Sequence, residues 1–367
     1  MESSISLDKK NSPLKDFLYA KVTYLIENGI APDAFTRFCI RQLLVERLNE
    51  LDILTKKDGV DAYVKAYAQF LAESPLAIMT AQANEQHYEV PTEFYHLSLG
   101  THKKYSSCYW DHSTKNLTDA EQKALDISIE HAEISDGMSV LEFGCGWGSL
   151  SLELAKRFPN SHITSVSNSR TQKEYIDDQA KLRGLTNLTV LTRDLGKKEN
   201  YDFQGQTFDR MMSIEMMEHI RNYDLFFKET SKLLKDDGKF FVHIFTHRST
   251  PYTYEIDGED NWMGRYFFSG GQMPSRDLFK QFPNHLKVTK QWQWNGKHYQ
   301  RTLEEWLIKL DQNKDYVHSL FAKTYGEDKA NLWVNRWRIF YMACAELFGY
   351  EDGEIWGVTH YLLEKNK

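Results

Sequence analysis

The sequence predicts an α/β protein built on a mostly parallel sheet, and three observations lead there. From residue 140 to 245, short apolar runs alternate with stretches of helical periodicity. The first run, Val140-Leu141-Glu142-Phe143, ends in Gly144-Cys145-Gly146-Trp147-Gly148 and passes into a helical stretch from Ser149. Polar residues that suit a ligand, Glu142, Asn168, Asp194 and Glu215, fall at or just past the ends of four successive runs. Strands joined by helical crossovers form a parallel sheet, and ligands gather at its carboxyl ends.

Taken in order, residues 1 to about 85 read as helix. Leu14, Phe17, Leu18, Val22 and Leu25 keep helical spacing, and residues 38–48 form a second amphipathic segment. Asn28-Gly29 and Asp58-Gly59 punctuate them. Aromatic rings alternate with hydroxyls in 87–95 and 105–110, which suits either a loop closing over a ligand or a surface loop with buried rings. Thr118-Asp119-Ala120-Glu121 has the form of a capping box and starts a helix to about 132. Strands follow at 162–168, 188–194, 208–214 and 239–245, with a helix at 172–182 ended by Gly184. The aromatic, irregular stretch 246–285 reads as a substrate cover. A strand at 286–292, helices at 302–310 and 329–348, and a final strand at 355–363 complete the chain. The expected organisation is a helical region and lid loop (1–114), a cofactor-binding core (115–245), a cap carrying one core strand (246–350) and the last core strand (351–367).

A formal charge of −7, with no basic run longer than a Lys-Lys pair, argues against a nucleic-acid surface. The four cysteines form no CxxC pair, so neither a zinc site nor a disulfide framework is expected. No stretch reaches membrane-spanning length and the N-terminus has no apolar signal core, which leads to the expectation of a cytoplasmic protein without a membrane anchor. Homodimerisation is left open.

The glycine-rich turn carries the first chemical reading. Glycines at alternate positions let backbone approach a ligand where a Cβ would collide, and the following helix aims its free N–H groups there. The dinucleotide fingerprint spaces its glycines differently and places its acid about twenty residues later. An acid followed by Gly-x-Gly-x-Gly is instead the nucleoside loop of class I methyltransferases, where the acid takes the ammonium of S-adenosylmethionine (SAM). An ordinary strand-to-helix turn with a solvated Glu142 is the competing reading. The fourth strand runs into Glu215-Met216-Met217-Glu218-His219. If a helix begins there, Glu215, Glu218 and His219 share one face and can exchange protons near neutral pH. The plain alternative is a helix start with acids favoured by the dipole. His243 and His247 offer a His-x-x-x-His spacing that binds metal on a helix but not at a strand end, so no metal is expected.

Several stretches together resemble one family: Tyr88 to Phe94, Tyr105 to Trp110, Val140 to Gly148, Asn168 to Ile176, Ile214 to His219, Gly296 to Trp306 and Trp337 to Phe340. The chain is similar, over nearly its whole length, to the plant coclaurine N-methyltransferases within the cyclopropane-fatty-acyl-phospholipid synthase family. The resemblance implies a class I SAM-dependent methyltransferase fold (Rossmann-like) with an N-terminal helical region and a helical, aromatic cap. It also implies that Gly144 and Gly146 lie along the methionine moiety of SAM, that Asn168 and Gln172 hold the ribose, and that Asp194 meets the adenine amine. Ser107 and Glu142 complete the expected cofactor contacts. Glu215, Glu218 and His219 match the acid–base group, with Glu218 and His219 removing the proton and Glu215 holding the ammonium. Tyr88, Trp262, Tyr299, Trp337 and Phe340 are expected to wall the amine pocket.

One departure separates the branches. Lipid-modifying members carry Tyr-Ser-Cys-Ala-Tyr in the loop before the core, with the cysteine beside a bound bicarbonate. Here Ser107 stands at that position and the cysteine is Cys108. Glu218, His243 and Tyr299 remain available on this reading to form the rest of a bicarbonate site. The expected activity is therefore N-methylation of a small aromatic or cyclic amine. Lipid methylation of the cyclopropane-synthase type and a SAM-binding protein without turnover are the rivals.

Overall fold

A computed structural model describes residues 12–78, 90–254, 256 and 261–366. Three helices lead: α1 (Pro13–Glu27), α2 (Asp33–Lys56) and α3 (Val60–Glu73). Gly29 and Gly59 separate them at φ +68° and +84°, in the left-handed region that suits glycine. After the short α4 (Thr92–Ser98) comes α5 (Leu117–His131). Its cap is Asn116, whose side chain accepts from Asp119 N, rather than the Thr118 box. Glu121 is engaged elsewhere. Its buried carboxylate accepts the N–H groups of Gly100, His102 and Lys104, at 3.0, 2.8 and 3.3 Å. It folds the loop that leads toward the site.

The sheet then builds through β1 (Ser139–Phe143), α6 (Ser149–Arg157), β2 (His162–Ser167), α7 (Arg170–Leu182), β3 (Leu188–Thr192), β4 (Phe208–Ile214), α8 (Tyr223–Ser231) and β5 (Leu234–His247). A small ribbon, β6 (Tyr252–Thr253) with β7 (Gln272–Met273), flanks the short helix α9 (Trp262–Tyr266). The chain returns in β8 (Leu286–Trp294), passes through α10 (Lys297–Gln312), α11 (Lys314–Tyr325) and α12 (Glu327–Gly349), and ends in β9 (Trp356–Lys365). Helix α11 is absent from the sequence reading, and β5 starts five residues before the expected 239 because Leu234 pairs with Phe208.

Seven strands lie in the order β3-β2-β1-β4-β5-β9-β8. The first five are parallel, while β9 runs antiparallel to both β5 and β8. From β1 the chain winds outward to β3 and then returns to β4 on the other side of β1. That reversal opens a crevice at the carboxyl ends of β1 and β4, the place where open α/β sheets bind ligands. Val140, Leu141 and Phe143 of β1 are fully buried, as expected of a central parallel strand covered on both faces. Truncating Phe143 to Ala is expected to cost about 3–5 kcal/mol, the range for emptying a packed aromatic site.

Helices α1 and α2 lie outside this sheet. No residue of α1 is buried, yet polar ties hold it down. Glu27 meets Arg336 of α12 at 2.9 Å and Lys15 meets Glu46 of α2 at 3.0 Å. Among the described residues no helix is long and apolar enough to cross a membrane.

Candidate active site

A cavity of about 510 Å³ opens at the switch point. On its cofactor side stand Glu142, Gly144, Gly146 and Gln172. Gly144 has φ +77°, and a Cβ there would meet Met216 Cγ at 2.6 Å, so the turn requires glycine. Gly146 has φ +51° with nothing within 4 Å of its Cβ position. That open space beside bare backbone is the cradle a ligand needs. Glu142 is 2% exposed, and its Oε2 accepts from the Ser165 hydroxyl at 3.3 Å and from Ser151. Burial pushes its carboxyl up to about 7, against the pull of the Ser151 and Ser165 hydroxyls. An ammonium beside it would restore the charged form. The residues present thus fit the amino-acid end of SAM.

The remaining expected cofactor residues lie differently. Gln172 is buried, accepts from Ser167 Oγ at 2.7 Å and faces the cavity. Asn168 and Asp194 stand half-buried just beyond β2 and β3 and do not wall this cavity. One Asp194 oxygen accepts from Gly196 N at 2.9 Å, shaping its own turn. Ser107 is fully buried and does not face the cavity, whereas Ser106 does. Ser107 contributes its backbone N–H to Glu215.

The acceptor side turns on Glu215. No helix begins there. Glu215 takes φ 46°, a left-handed conformation unusual for a side-chain-bearing residue. A single 3₁₀ turn, Met217–His219, follows. This geometry separates the three residues expected on one face. Glu215 and His219 wall the cavity, and Glu218 does not. Glu218 is 1% exposed and accepts the Phe245 N–H at 3.1 Å, while its Oε2 has no partner among the described residues. Burial and the neighbouring Glu215 charge push its carboxyl pKa well up, which favours its neutral form. In this structure Glu218 thus stands behind the wall that Glu215 and His219 form.

Glu215 is held by three groups from three segments. Its carboxylate accepts Ser107 N–H at 2.9 Å and Tyr299 O–H at 2.5 Å, and pairs with His243 Nε2 at 3.0 Å. Burial raises its pKa, against the pull of the Lys104 ammonium and the Tyr299 and Ser107 hydrogen bonds. Lys104 is itself fully buried, donating to Ser106 Oγ and to the Ser107 carbonyl, both at 2.6 Å. No sequence signal marks this lysine. His243 and Tyr299, which with Glu218 were available for a bicarbonate site, are both engaged with the Glu215 carboxyl group. His247 is a separate group, accepting Thr250 N–H at 2.9 Å.

Aromatic residues complete the walls. Trp262, Tyr299 and Phe340 face the cavity as expected. Phe340 stacks on Phe267 at 4.5 Å and Tyr299 on Phe348 at 4.3 Å, which fixes both rings. Trp337 is fully buried behind this layer, 4.5 Å from Phe94 and 5.6 Å from Phe340, and supports the wall without reaching the cavity. Tyr88 lies outside the described residues. Tyr254 and Phe268, from the stretch read as a substrate cover, also line it, whereas sequence reasoning missed Trp306 and above all Tyr19, Ile26, Glu27 and Ile40 from α1 and α2. Glu27 accepts from Trp262 Nε1 at 2.8 Å and Arg336 Nε at 2.9 Å, tying α1 to both cap elements over the cavity.

Known proteins share this sequence pattern and fold. Residues 77–358 match the family model described as mycolic acid cyclopropane synthetase. The chain is 33% identical to (S)-coclaurine N-methyltransferase of Thalictrum flavum subsp. glaucum, over 98% of this chain and 100% of that one. It is 36% identical to the enzyme of that name from Papaver somniferum, over 93% of this chain and 96% of that one. A crystal structure of coclaurine N-methyltransferase bound to N-methylheliamine and SAH superposes with a TM-score of 0.89 at 33% identity, covering 94% of this chain and 99% of that one. SAH is the product SAM leaves after giving up its methyl group. The chain belongs to the coclaurine N-methyltransferase branch of the mycolic acid cyclopropane synthetase family of SAM-dependent methyltransferases.

Proposed function

We propose that this protein transfers the methyl group of SAM to the nitrogen of a small aromatic or cyclic amine. The observation that carries this reading is the Glu215 carboxylate. It sits where the Ser107 N–H, the Tyr299 O–H and the His243 ring converge, at the edge of an aromatic cavity, on the acceptor side of the switch point. A carboxylate supplied by the chain itself is poised to meet a cation and to take its proton. The relatives named as N-methyltransferases support the same acceptor chemistry.

An aliphatic amine resembles the Lys side chain, with a pKa of about 10.4, so at neutral pH its lone pair is mostly protonated. Glu215 and His219 both face the cavity. They hold the ammonium and accept its proton, which leaves the nitrogen lone pair free to attack. Bound SAM supplies an electrophilic methyl group, and Glu142 with the glycine turn fixes where it is presented. Trp262, Phe340 and Tyr299 steady a cationic ring through their faces. Glu218 acts from behind, fixing the end of β5 through Phe245 N–H.

Labelled SAM, offered with a panel of soluble cyclic amines beside unsaturated phospholipid vesicles, tests the reading. Label should pass to an amine, without vesicles. Label passing to phospholipid alone would overturn it.

A further inference from the structure

Behind Glu215 lies a line of three imidazoles that the methyl-transfer reading does not use. His243 Nδ1 meets His360 Nε2 at 2.8 Å, and His360 Nδ1 meets His131 Nδ1 at 2.9 Å. The sheet sets this line. Ile214, His243, His360 and Trp292 are register partners across β4, β5, β9 and β8, so their side chains share one face of the sheet in one row. Helix α5 crosses that face and ends at His131. The His131 ring stacks on Trp292 at 3.9 Å with 9° between planes, which fixes its orientation. Trp294 packs on His360 at 4.3 Å. His243 and His360 are fully buried, while His131 is half-buried and reaches the surface.

Burial holds His243 and His360 well below the ordinary imidazole range, and lowers His131 too. All three rings are therefore neutral near pH 7. A neutral imidazole has one N–H, and each contact between two nitrogens holds one hydrogen. With Glu215 ionised, His243 must point Nε2–H at it. His243 then offers only a lone pair at Nδ1, so His360 must donate through Nε2. His360 in turn offers only a lone pair at Nδ1, so His131 must donate through Nδ1. The opposite arrangement, with every N–H pointing outward, leaves a lone pair facing Glu215 and requires a protonated carboxyl. The chain of rings has these two consistent states and no mixed one.

We propose that His131 and His360 are positioning residues that lock the tautomer of His243 and thereby hold Glu215 ionised, with the surface ring of His131 as the outer terminus of the lock. The effect on turnover rests on Glu215 being the proton acceptor; the tautomer lock does not. Other groups near Glu215 are Lys104, Tyr299, Glu218 and the Cys108 and Cys344 thiols. Glu130 and Lys290 lie near His131, and Lys104 also acts on His360. All of them stay in place in the variants below.

Two substitutions of one shape separate the lock from a packing role. His131→Asn keeps an N–H donor near the Nδ1 position, and His131→Asp at neutral pH offers only an acceptor. The tautomers are read in the full chain, with ¹⁵N-labelled histidine, by long-range ¹H–¹⁵N correlation. The parent and His131→Asn should show Nε2–H on His243 and His360, and His131→Asp should show Nδ1–H on both. For turnover, removing the inward donor raises the Glu215 pKa, so the acid limb of the kcat/KM profile should move to higher pH in His131→Asp. A shift of one pH unit gives about a tenfold loss below the limb and recovery above it. His131→Asn should follow the parent within about twofold. Outward tautomers in the parent at neutral pH, or superimposable tautomers and profiles in the Asn and Asp variants, would overturn the lock. An equal, pH-independent loss in both variants would also overturn it, since packing alone predicts that. If the parent turns over no amine, the function proposed above fails, while the tautomer readout still decides the lock.

Discussion

The two halves of the cavity are built in opposite ways. The cofactor half is one continuous strand–turn–helix, residues 139–157, with Gln172 added from the next helix. The acceptor half gathers single residues from α1, α2, the turn after β4, α9, α10 and α12. Its key carboxylate, Glu215, is held by Ser107, 108 residues earlier, and by Tyr299, 84 residues later. A contiguous loop can carry the same cofactor through a whole family. An assembly of distant side chains can change its substrate through any one of them. The same fold therefore serves amine and lipid acceptors, with fold fixing the cofactor half and individual side chains fixing the other.

The largest expected effect breaks the acceptor half alone. Glu215→Gln keeps the shape and removes the charge, and should lower kcat by roughly a hundredfold or more, with SAM affinity within a few-fold by calorimetry. A comparable loss of SAM affinity would mean that the two halves are not separable. Glu215 should also set the acid limb of the parent's kcat/KM profile. Burial raises its pKa, so activity is lost as pH falls at a higher pH than an exposed Glu, about 4.3, would give. Glu215→Gln should abolish that limb.

The converse substitution breaks the cofactor half. Gly146→Val places a branched side chain at φ +51° and into the open space of the cradle. It should remove measurable SAM binding, expected to be micromolar and worth about −8 kcal/mol in the parent, while the protein stays folded. Unchanged binding would sink the placement of SAM along this turn.

These two residues also show what was legible in the sequence. The sheet, its strand positions, the glycine turn with Glu142, and the helices at both ends could be read from residue order, because each depends on neighbours within about fifteen positions. The acid–base group could be named but not oriented. The left-handed Glu215 turns the chain into a 3₁₀ turn, and Glu218 goes behind the wall. Local spacing gives no warning of that, since Met-Met-Glu-His is compatible with a helix. Asn116 outcompeted Thr118 as a cap because Glu121 was taken by three backbone N–H groups of the preceding loop, a tertiary demand. Trp337 keeps the helical spacing of a wall residue, yet Phe340 of the same helix occupies the cavity side. Helices α1 and α2 could be read from their spacing as a lid or packing layer, but which of their residues reach the cavity could not, and nothing local marked the buried Lys104.

Smaller effects sharpen the comparison. Glu218→Gln preserves a neutral acceptor for Phe245 N–H, so it should reduce turnover less than Glu218→Ala, which leaves that buried N–H unpaired at about 1–3 kcal/mol of stability. The two variants would be equally impaired if Glu218 itself took the substrate proton. Glu27→Ala removes the tie between α1, Trp262 and Arg336. It should raise KM for the amine several-fold and leave both kcat and SAM affinity close to the parent. An effect on SAM affinity would place α1 in the cofactor half instead.

The most direct test of the account asks whether Glu215 does in this chain what bicarbonate does in the lipid branch. Methyl transfer is measured for the parent and for Glu215→Gly in buffer stripped of carbon dioxide, and again with bicarbonate added. Glycine accepts the backbone at φ 46°, so the variant keeps Ser107 N–H, Tyr299 O–H and His243 in place. The parent should be indifferent to bicarbonate, and the inactive Glu215→Gly should recover activity when it is added. A parent enzyme that loses its activity when bicarbonate is stripped would contradict the account.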